Sequence, residues 1–447
     1  MVGKAEAKGV ARAQQALRGV GQGPYGEAVP AGYKRTEVGV VPVEWEVVTI
    51  GSVSSWIGGG TPAKSTPEFW GGSIAWISPK DFVGNELHQA EDYITQIGVD
   101  NSSTTIIPEG GIVFVARSGV LRHTFPIAIV RGQMMAINQD LKARIADSDL
   151  LINEYLLYYT KSKQHDILRA AVKAGTTVES VDLSSFRKFP IPLPPLPEQR
   201  AIAGALGEAD ALLAALDGLI AKKAAVKQAT LEELLSGRRR LGGDNPGARQ
   251  ILKMGELGQT YGGLTGKTKS DFGTGNKRYV TFMNVIYNTV VDSNLLERVY
   301  VTDKEKQNEV RKGDLLFNTS SETPGEVGTC AYVGTDLEGV YLNSFCFGFK
   351  LSGADVDGLY LAYLVNSPIG REKFAEQAQG ATRYNLSKYN FKSIEFGFPS
   401  IKEQRPIATL LTTLDDELTA LRARRKKLAA VKAGMMEQLL TGAVRLV

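Results

Sequence analysis

The sequence predicts an α+β protein built as a tandem repeat, in which each of two homologous globular domains is followed by a long helix. The main observation is that the stretch Pro197–Leu241 returns as Lys402–Leu446 at a constant offset of 205 residues. Compared without gaps, Glu198–Leu241 and Glu403–Leu446 agree at 21 of 44 positions. So long a repeat period indicates two large copies of one unit, because solenoids repeat every 20–50 residues or so.

Each repeated stretch also carries apolar residues at alternating spacings of four and three, which is typical of a coiled-coil seam. A helix with one apolar seam must bury it, and the equivalent helix of the same chain is the obvious partner. Pairing about a pseudo-twofold axis makes the two helices antiparallel. The predicted helix-pair interface consists of Ile202, Leu206, Leu213, Leu216, Ile220, Ile407, Leu411, Leu414, Leu418 and Leu421.

Three residues of the second stretch modify this prediction. Arg425 takes the place that Ile220 has in the first seam, so we expect the pairing to be weaker there. Glu403 lies three residues after Ser400, the spacing of a capping box at a helix start. Pro406 has no N–H to bond the carbonyl of residue 402, so the helix should either begin near residue 405 or kink.

The repeat divides the chain into an N-terminal arm (1–31), a first globular domain (32–196), a central helix (197–241), a second globular domain (242–400) and a distal helix (401–447). The two domains share framework positions at the same offset, such as Asn138 with Asn343 and Gly175 with Gly380. The loops between these positions differ. Two copies with one framework and different loops should do similar work on different targets.

Composition limits the class of protein. The 52 Lys and Arg residues against 48 Asp and Glu give a net charge of +4, which permits a nucleic-acid partner without requiring one. Two cysteines and three histidines argue against a disulfide framework and against a Cys/His zinc site. There is neither an apolar run of about 18 residues nor a secretory signal, so we expect no membrane span and a cytoplasmic location.

A search for catalytic motifs finds none that is complete. An adenine methyltransferase needs an Asn-Pro-Pro-aromatic tetrapeptide, and Asn245-Pro246 is followed by Gly247. The segment Gly262–Thr268 ends like a phosphate-binding loop but is one residue short of that motif. From the residues alone, three classes stay open: a DNA-reading protein, a protein scaffold and an enzyme.

Residues that could bind DNA lie in the loops of both domains. Phosphate contacts need Lys, Arg or small polar donors, whereas base edges are read by Arg or Lys at guanine and by Asn or Gln at adenine. The candidate DNA-binding residues are Thr61, Lys64, Ser78, Lys80, Arg117, Ser118, Arg122, Thr177, Lys267, Lys269, Lys277, Asn284, Asn318, Ser320, Ser321 and Arg383.

The stretches PEQRAIA…LLSG and KEQRPIA…LLTG, the segment GYKRTEVGVVPVEWEV and the loops GGGTP and GATRYNL resemble specificity subunits of type I restriction-modification systems. The resemblance covers residues 32–447. It implies that 32–196 and 242–400 are two target-recognition domains, which together read a bipartite, asymmetric target in double-stranded DNA. It also implies an antiparallel coiled coil that fixes the spacer between the two parts of that target.

The same resemblance implies partners and cofactors. Two modification (adenine methyltransferase) subunits would dock on this chain and, through them, restriction (translocase/endonuclease) subunits. The chain itself would have no catalysis and no cofactor, whereas S-adenosylmethionine, ATP and Mg²⁺ would serve the partners. The alternative is a helical scaffold or adaptor that pairs two ligand domains without DNA specificity. The arm 1–31 departs from the family pattern.

Overall fold

The computed structural model describes residues 29–145, 149–175, 178–241 and 248–446. The chain forms two compact units, Met1–Ala214 with Lys426–Val447 and Ala215–Arg425. Each unit therefore contains one globular domain and part of both long helices. Of the predicted arm, residues 1–28 lie outside the described residues.

The first unit contains fifteen strands within the described ranges, most of them short. They are β1 (Tyr33–Thr36), β2 (Gly39–Pro42), β3 (Glu46–Thr49), β4 (Ile57–Gly58), β5 (Trp70–Ile77), β6 (Glu86–Leu87), β7 (Asp92–Ile94), β8 (Thr105–Ile107), β9 (Ile112–Val115), β10 (Ile127–Val130), β11 (Met135–Ile137), β12 (Leu141–Arg144), β13 (Val172–Lys173), β14 (Ser180–Val181) and β15 (Pro190–Leu193). Its α-helices are α1 (Ile50–Val53), α2 (Gln96–Asp100), α3 (Asn153–Ser162), α4 (Gln164–Ala171), α5 (Leu183–Arg187) and the first part of α6 (Leu196–Ser236).

The second unit repeats this composition. Its strands are β16 (Gln250–Lys253), β17 (Gly258–Gly262), β18 (Phe272–Val280), β19 (Leu296–Val299), β20 (Leu315–Asn318), β21 (Ser320–Ser321), β22 (Cys330–Tyr332), β23 (Val340–Leu342), β24 (Cys346–Leu351), β25 (Tyr384–Asn385) and β26 (Glu395–Phe398). Its α-helices are α7 (Met254–Leu257), α8 (Phe282–Tyr287), α9 (Gly358–Asn366), α10 (Pro368–Gln377), α11 (Lys388–Ser393) and most of α12 (Ile401–Leu439).

The sheets of the two units correspond, except that each sheet of the first unit has one more strand among the described residues. The sheet with the order β4-β12-β9-β10-β6 in the first unit corresponds to the sheet β17-β24-β20-β22 in the second. The sheet β7-β5-β11-β8 corresponds to β19-β18-β23. In each unit the second of these sheets has one parallel pair, β5 with β11 and β18 with β23. The fold is therefore the α+β tandem repeat that the sequence predicts.

Each domain packs its helices against one face of its larger sheet. In the first unit, Phe114 of β9 shares a fully buried core with Tyr155 of α3 and Phe186 of α5. In the second unit, Phe317 of β20 lies in the equivalent core with Tyr360 of α9. The beginning of each long helix belongs to the core of its own domain, which anchors the helix there.

The two long helices pair antiparallel within each unit. Helix α6 has 41 residues and α12 has 39, so both are close to the single helices that the sequence predicts. In the first unit, residues 198 and 210 of α6 pair with residues 445 and 432 of the distal segment. In the second unit, residues 217, 223 and 227 of α6 pair with residues 425, 417 and 415 of α12.

A glutamate at the start of each long helix binds an arginine near the end of the other repeat. Arg445 donates to both carboxylate oxygens of Glu198, at 2.5 and 2.8 Å. In the second unit Arg240 donates to Glu403 at 2.7 Å through Nε and Nη2. Both carboxylates are almost fully buried, with 2% and 6% of the side chain exposed. Such charge-assisted bidentate pairs are among the strongest polar contacts in proteins.

A second acidic position is also used the same way in both units. Asp210 pairs with Lys432 and accepts a hydrogen bond from the hydroxyl of Tyr158 at 2.9 Å. At the matching positions, Asp415 pairs with Lys227 at 2.5 Å and accepts a hydrogen bond from Tyr363 at 2.8 Å. These charged residues recur in both copies of the repeat because the acidic residue of each copy pairs with the basic residue of the other copy.

The glutamine after each glutamate holds the helix start against its own domain. The amide of Gln199 donates to the carbonyls of residues 150 and 194 and accepts from the N–H of residue 152, at 2.7–3.1 Å. Gln404 makes the same three bonds to residues 355, 399 and 357 at 2.8–2.9 Å. Both side chains are fully buried, so the Glu-Gln pair of the repeat has a structural role in both copies.

All ten predicted seam residues are buried or half-buried, though not all of them in a helix-to-helix joint. Ile202 and Leu206 belong to the apolar core of the first domain, and Ile407 and Leu411 to that of the second. Between them along the two helices lie Leu213, Leu216, Ile220, Leu414, Leu418 and Leu421.

The structure bears on three expectations for the second helix. Arg425 makes a solvent-exposed ion pair with Asp217, at 2.9 and 3.1 Å, at the place where we expected a weaker joint. The carboxylate of Glu403 accepts from Arg240, and the N–H of Glu403 donates to the carbonyl of Ser400 at 2.8 Å. Helix α12 begins at Ile401, ahead of residue 405, and continues through Pro406. The carbonyl that loses its donor belongs to Lys402, an exposed residue, so water can bond it.

The Arg240–Glu403 pair makes stability depend on pH. The bonded guanidinium holds the pKa of Glu403 below its ordinary value. The stabilisation is therefore complete above the pKa of the unfolded chain and is lost as the pH falls through the lower pKa of the folded chain. We expect the difference in unfolding free energy between wild type and Glu403→Gln to shrink between pH 7 and pH 3 in urea titrations. Parallel stability curves for the two proteins would contradict this.

Candidate nucleic-acid interface

Four of the predicted DNA-binding residues of the first unit line one cavity of about 510 Å³. They are Thr61, Lys64, Ser78 and Lys80, and the same cavity is lined by Trp76, Asp92, Asn138, Gln139 and Asp140. The four residues come from two loops that are separated by strand β5. The fold thus brings together side chains that the sequence shows only as separate loops.

The floor of this region is a tight turn at residues 138–140, here called the Asn138 turn. The side chain of buried Asn138 accepts from the N–H of Asp140 at 3.0 Å. The second unit has the same construction at residues 343–345, the Asn343 turn, where the side chain of Asn343 accepts from the N–H of Phe345 at 2.8 Å. An asparagine that bonds the backbone two residues later fixes the turn in both units.

A glycine-rich loop passes close to each turn. A Cβ atom on Gly59 would lie 2.0 Å from the carbonyl oxygen of Ile137, and one on Gly263 would lie 2.1 Å from that of Asn343. Any side chain at either position would displace the turn, so glycine is required there for space. In the Gly262–Thr268 segment, which ends like a phosphate-binding loop, Gly263 is therefore explained by its close contact with the Asn343 turn.

A strand-end loop lies against the other side of each turn. In the first unit the N–H groups of Ala116 and Arg117 donate to the carbonyl of Asp140 at 2.7 and 3.1 Å. In the second unit Thr319 donates to the carbonyl of Phe345 through its N–H at 3.0 Å and its hydroxyl at 2.8 Å. The loop at residues 117–118 and the loop at residues 318–321 are thus structurally equivalent.

Charges on the first unit's surface are partly neutralised by neighbours. Lys80 pairs with Glu91 at 2.6 Å and Asp92 at 3.0 Å, and these hydrogen bonds raise the pKa of the lysine. Arg122 donates to Glu179 at 2.5 Å and lowers the pKa of that carboxyl.

Three more predicted residues complete the first unit. Arg117 is exposed, and so is Lys64 at the cavity. Ser118 is half-buried and accepts from the N–H of Val120 at 3.4 Å. Thr177 lies outside the described residues. Arg117 and Lys64 are therefore exposed cations that can reach a phosphate group.

Two predicted residues of the second unit serve inside the domain. The side chain of Lys267 is only 5% exposed and pairs with Glu305 at 2.5 Å, and this bond lowers the pKa of that carboxyl to about 2. Asn284 is 1% exposed, and its amide bonds both the N–H and the carbonyl of Asp292. Both residues stabilise neighbouring loops, so we correct the expectation that they are exposed donors.

The predicted residues Asn318, Ser320 and Ser321 are also buried. Asn318 donates to the carbonyls of Ser320 at 3.2 Å and Glu326 at 3.0 Å, and Ser321 donates to the carboxylate of Glu326 at 2.6 Å. They hold the strand-end loop in shape, because short polar side chains there bond the local backbone. The expectation of exposed donors at these three positions is corrected in the same way.

The remaining predicted residues of the second unit face solvent to different degrees. Lys269 and Arg383 are exposed and Lys277 is half-buried. Arg383 lies in a turn where a Cβ on Gly380 would be 2.1 Å from the arginine carbonyl oxygen. In the first unit, Gly175 approaches Val178 in the same way at 2.0 Å. The close approach of the glycine is shared, and the residue that it approaches differs between the units.

The sequence reasoning missed the residues at the tips of the two turns. Gln139 is exposed and Asp140 half-buried in the first unit, while Ser344 and Phe345 are exposed in the second. A signal was present, because Asn138 and Asn343 match at the repeat offset while the residues after them do not. That signal could be interpreted only after the fold showed that both asparagines make the same turn.

Two kinds of feature, a metal-binding cluster and a membrane-spanning helix, are absent from the described part of the chain. No group of three or more His, Cys, Asp or Glu side chains there is arranged to hold a metal ion. Among the described helices, none combines the length and the apolar character that a membrane span requires.

The fold and the equivalent loop surfaces define a tandem protein with two variants of one loop-bearing domain, each followed by a long helix. Comparison with known sequences gives this class its family. The family described as "Type I restriction modification DNA specificity domain" matches residues 42–222 and again residues 249–430. Because the two matches cover most of the sequence, the chain belongs to this family.

Relatives and a solved structure agree with that assignment. The Escherichia coli EcoR124I/EcoR124II specificity subunit is 42% identical over 171 residues, which cover 38% of this chain and 41% of that protein. The Methanocaldococcus jannaschii MjaIX subunit is 31% identical over 184 residues, 40% of this chain and 41% of that protein. These two matches thus span about two fifths of each relative's length.

Other matches extend over nearly the whole chain. The Methanocaldococcus jannaschii MjaVIII specificity subunit is 23% identical over 423 residues, 91% of this chain and 94% of that protein. The crystal structure of a type I restriction-modification S subunit from M. genitalium matches with a TM-score of 0.57 at 15% sequence identity, covering 88% of this chain and 96% of that one. At that identity the structural match shows the fold.

Proposed function

We propose that this chain is a sequence-specific DNA-binding subunit, in which each unit reads one part of a bipartite, asymmetric target. The observation that carries the proposal is the surface found in both units, where a glycine-rich loop and a strand-end loop flank an asparagine-fixed turn. The framework of this surface is repeated and its outward residues differ. Two such surfaces on one chain fit a target made of two different sequences.

Chemistry on the first unit's surface suits DNA. Lys64 and Arg117 are exposed cations for phosphate groups, and Gln139 is an amide that can bond a base edge. The second unit offers Lys269 and Arg383 in the same roles. Cations that neutralise phosphates release counterions, so we expect affinity to fall as salt rises.

The proposal extends to partners through family membership. We infer that the chain assembles with two modification (adenine methyltransferase) subunits and with restriction subunits, and that it directs them to the target. In this assignment the specificity subunit is not an enzyme. S-adenosylmethionine, ATP and Mg²⁺ would be used by the partner subunits.

A scaffold without DNA specificity remains the second class, and one experiment separates the two. The full chain, co-expressed with its methyltransferase partner, is incubated with a random-sequence duplex library, and the bound DNA is sequenced. We expect enrichment of two short motifs at a fixed separation. A complex that assembles with its partner and yet enriches no motif would favour the scaffold and overturn the DNA-reading proposal.

Replacing Arg117 tests whether the two units read separately. If Arg117 contacts a base, we expect Arg117→Ala to weaken binding by about 1–3 kcal/mol. If it contacts a phosphate group, the substitution should lower affinity and its salt dependence modestly. In both cases the loss should fall on one half of the target, measured by titrating duplexes with either half scrambled. Arg169→Ala is the matched control, because that arginine is exposed on α4 and pairs with Asp166.

The outcome that opposes this model is also defined. If Arg117→Ala reduced discrimination equally at both halves while the control left binding unchanged, the two units would not read independently.

A further inference from the structure

The residues at the tips of the two equivalent turns differ in a way that suggests how each unit selects its bases. In the first unit the tip is Gln139-Asp140, and in the second it is Ser344-Phe345. We propose that the Asn138 turn and the Asn343 turn are equivalent base-reading elements, with Gln139 bonding an adenine edge and Phe345 contacting base rings or thymine methyl groups. This inference rests on the proposed DNA-reading function.

The backbone of each turn is held so firmly that its exposed side chains have a defined origin. The N–H of Asn138 donates to the carbonyl of Ile77 at 3.0 Å, and the carbonyl of Asp140 accepts from two N–H groups. The N–H of Asn343 donates to the carbonyl of Val280 at 3.1 Å, and the carbonyl of Phe345 accepts from Thr319. Recognition gains from groups whose positions are fixed before the ligand binds.

Gln139 is itself oriented by neighbours. Its carbonyl oxygen accepts from the hydroxyl of Thr61, and its amide nitrogen donates to the carboxylate of Asp140 at 3.3 Å. Because a hydroxyl can donate or accept whereas a carboxylate only accepts, the bond to Asp140 sets which end of the amide faces which way, and its length leaves it easily exchanged. An oriented amide suits adenine, which presents an acceptor and a donor side by side in the major groove.

Phe345 differs from the other exposed residues of its loop because it is apolar. The residue is 57% exposed although its backbone N–H and carbonyl are both hydrogen-bonded. Apolar side chains that reach DNA contact the thymine methyl group or insert between base steps. The half of the target read by the second unit should therefore depend on an apolar contact where the first unit makes a polar one.

The side chains at the tips of the two turns can be changed without altering the hydrogen bonds that hold the backbone of each turn. Gln139→Ala and Phe345→Ala leave the asparagine bond and the clamped carbonyls in place, so both variants should unfold at the wild-type temperature. Gln96→Ala and Ile251→Ala are matched controls, since Gln96 and Ile251 are exposed in the first and second unit, respectively, and neither lies on a turn or the loops beside it.

The test repeats the selection from a random duplex library with the full complex. We expect Gln139→Ala to lose preference at one or two positions of one half, by about tenfold or more per position for a bidentate contact. Phe345→Ala should do the same in the other half only, and the controls should enrich the wild-type motif. Both tip variants enriching the wild-type motif unchanged would overturn this inference.

A reciprocal variant strengthens the test and separates its failure from that of the proposed function. Gln139→Ser combined with Asp140→Phe gives the first unit the tip of the second, and should change the bases preferred in the first unit's half alone. If wild type enriches a split motif and this variant enriches the same one, the turns do not read bases although the chain does. If wild type enriches nothing, the DNA-reading proposal itself fails.

Discussion

Replacing Arg445 with alanine should lower the free energy of unfolding by about 3–5 kcal/mol, since it leaves a buried carboxylate without its charged partner. Glu198 is 2% exposed and accepts two hydrogen bonds from Arg445. Among the described residues, the indole N–H of Trp45, at 3.0 Å, would still bond that carboxylate after the substitution. The guanidinium also lies 5.8 Å from the centre of the Trp45 ring, so a cation–π contact is lost as well.

Urea unfolding followed by circular dichroism measures this loss. Arg425→Ala is the matched control, because it also removes an arginine that bonds a carboxylate through two nitrogens, in this case the carboxylate of Asp217. That pair is open to solvent, with 46% and 52% of the two side chains exposed, and exposed pairs contribute little to stability. Equal effects of the two substitutions would show that burial of Glu198 does not set the strength of its pair.

Phe391→Ala should destabilise the second unit by about 3–5 kcal/mol, the usual cost of deleting a buried aromatic ring. The ring is fully buried, with its centre 5.0 Å from those of Phe317 and Phe347 and 5.2 Å from that of Phe349. Several edge-to-face contacts are therefore lost together with the apolar area, and the cavity left behind is lined by rigid rings that close it poorly.

Tyr389→Ala is the control on the same helix, α11, where 82% of the tyrosine is exposed. Its effect on stability should stay within about 0.5 kcal/mol. Thermal unfolding of the three proteins checks both expectations, and a comparable loss for the two substitutions would mean that the aromatic cluster contributes less than its packing indicates.

Much of the architecture follows from the sequence, because the repeat is detectable without any knowledge of contacts. A constant offset over 21 identities fixed the number of domains, and the alternating seam predicted two long helices and their pairing. The loops proved harder. A donor such as Asn284 or Lys267 looks the same in sequence whether it faces solvent or bonds the next loop, since the difference lies in residues far away along the chain.

By itself, the amino-acid sequence determined the tandem α+β organisation, the antiparallel helix pair and the resemblance to a DNA-specificity family. Local periodicity and an internal repeat need no tertiary information. Only the tertiary structure decided the partner of each repeated charge: Glu403 bonds Arg240, although its spacing from Ser400 is that of a local cap. It also decided that Gln139 and Phe345 occupy equivalent turns, because that equivalence depends on hydrogen bonds to strands distant in sequence.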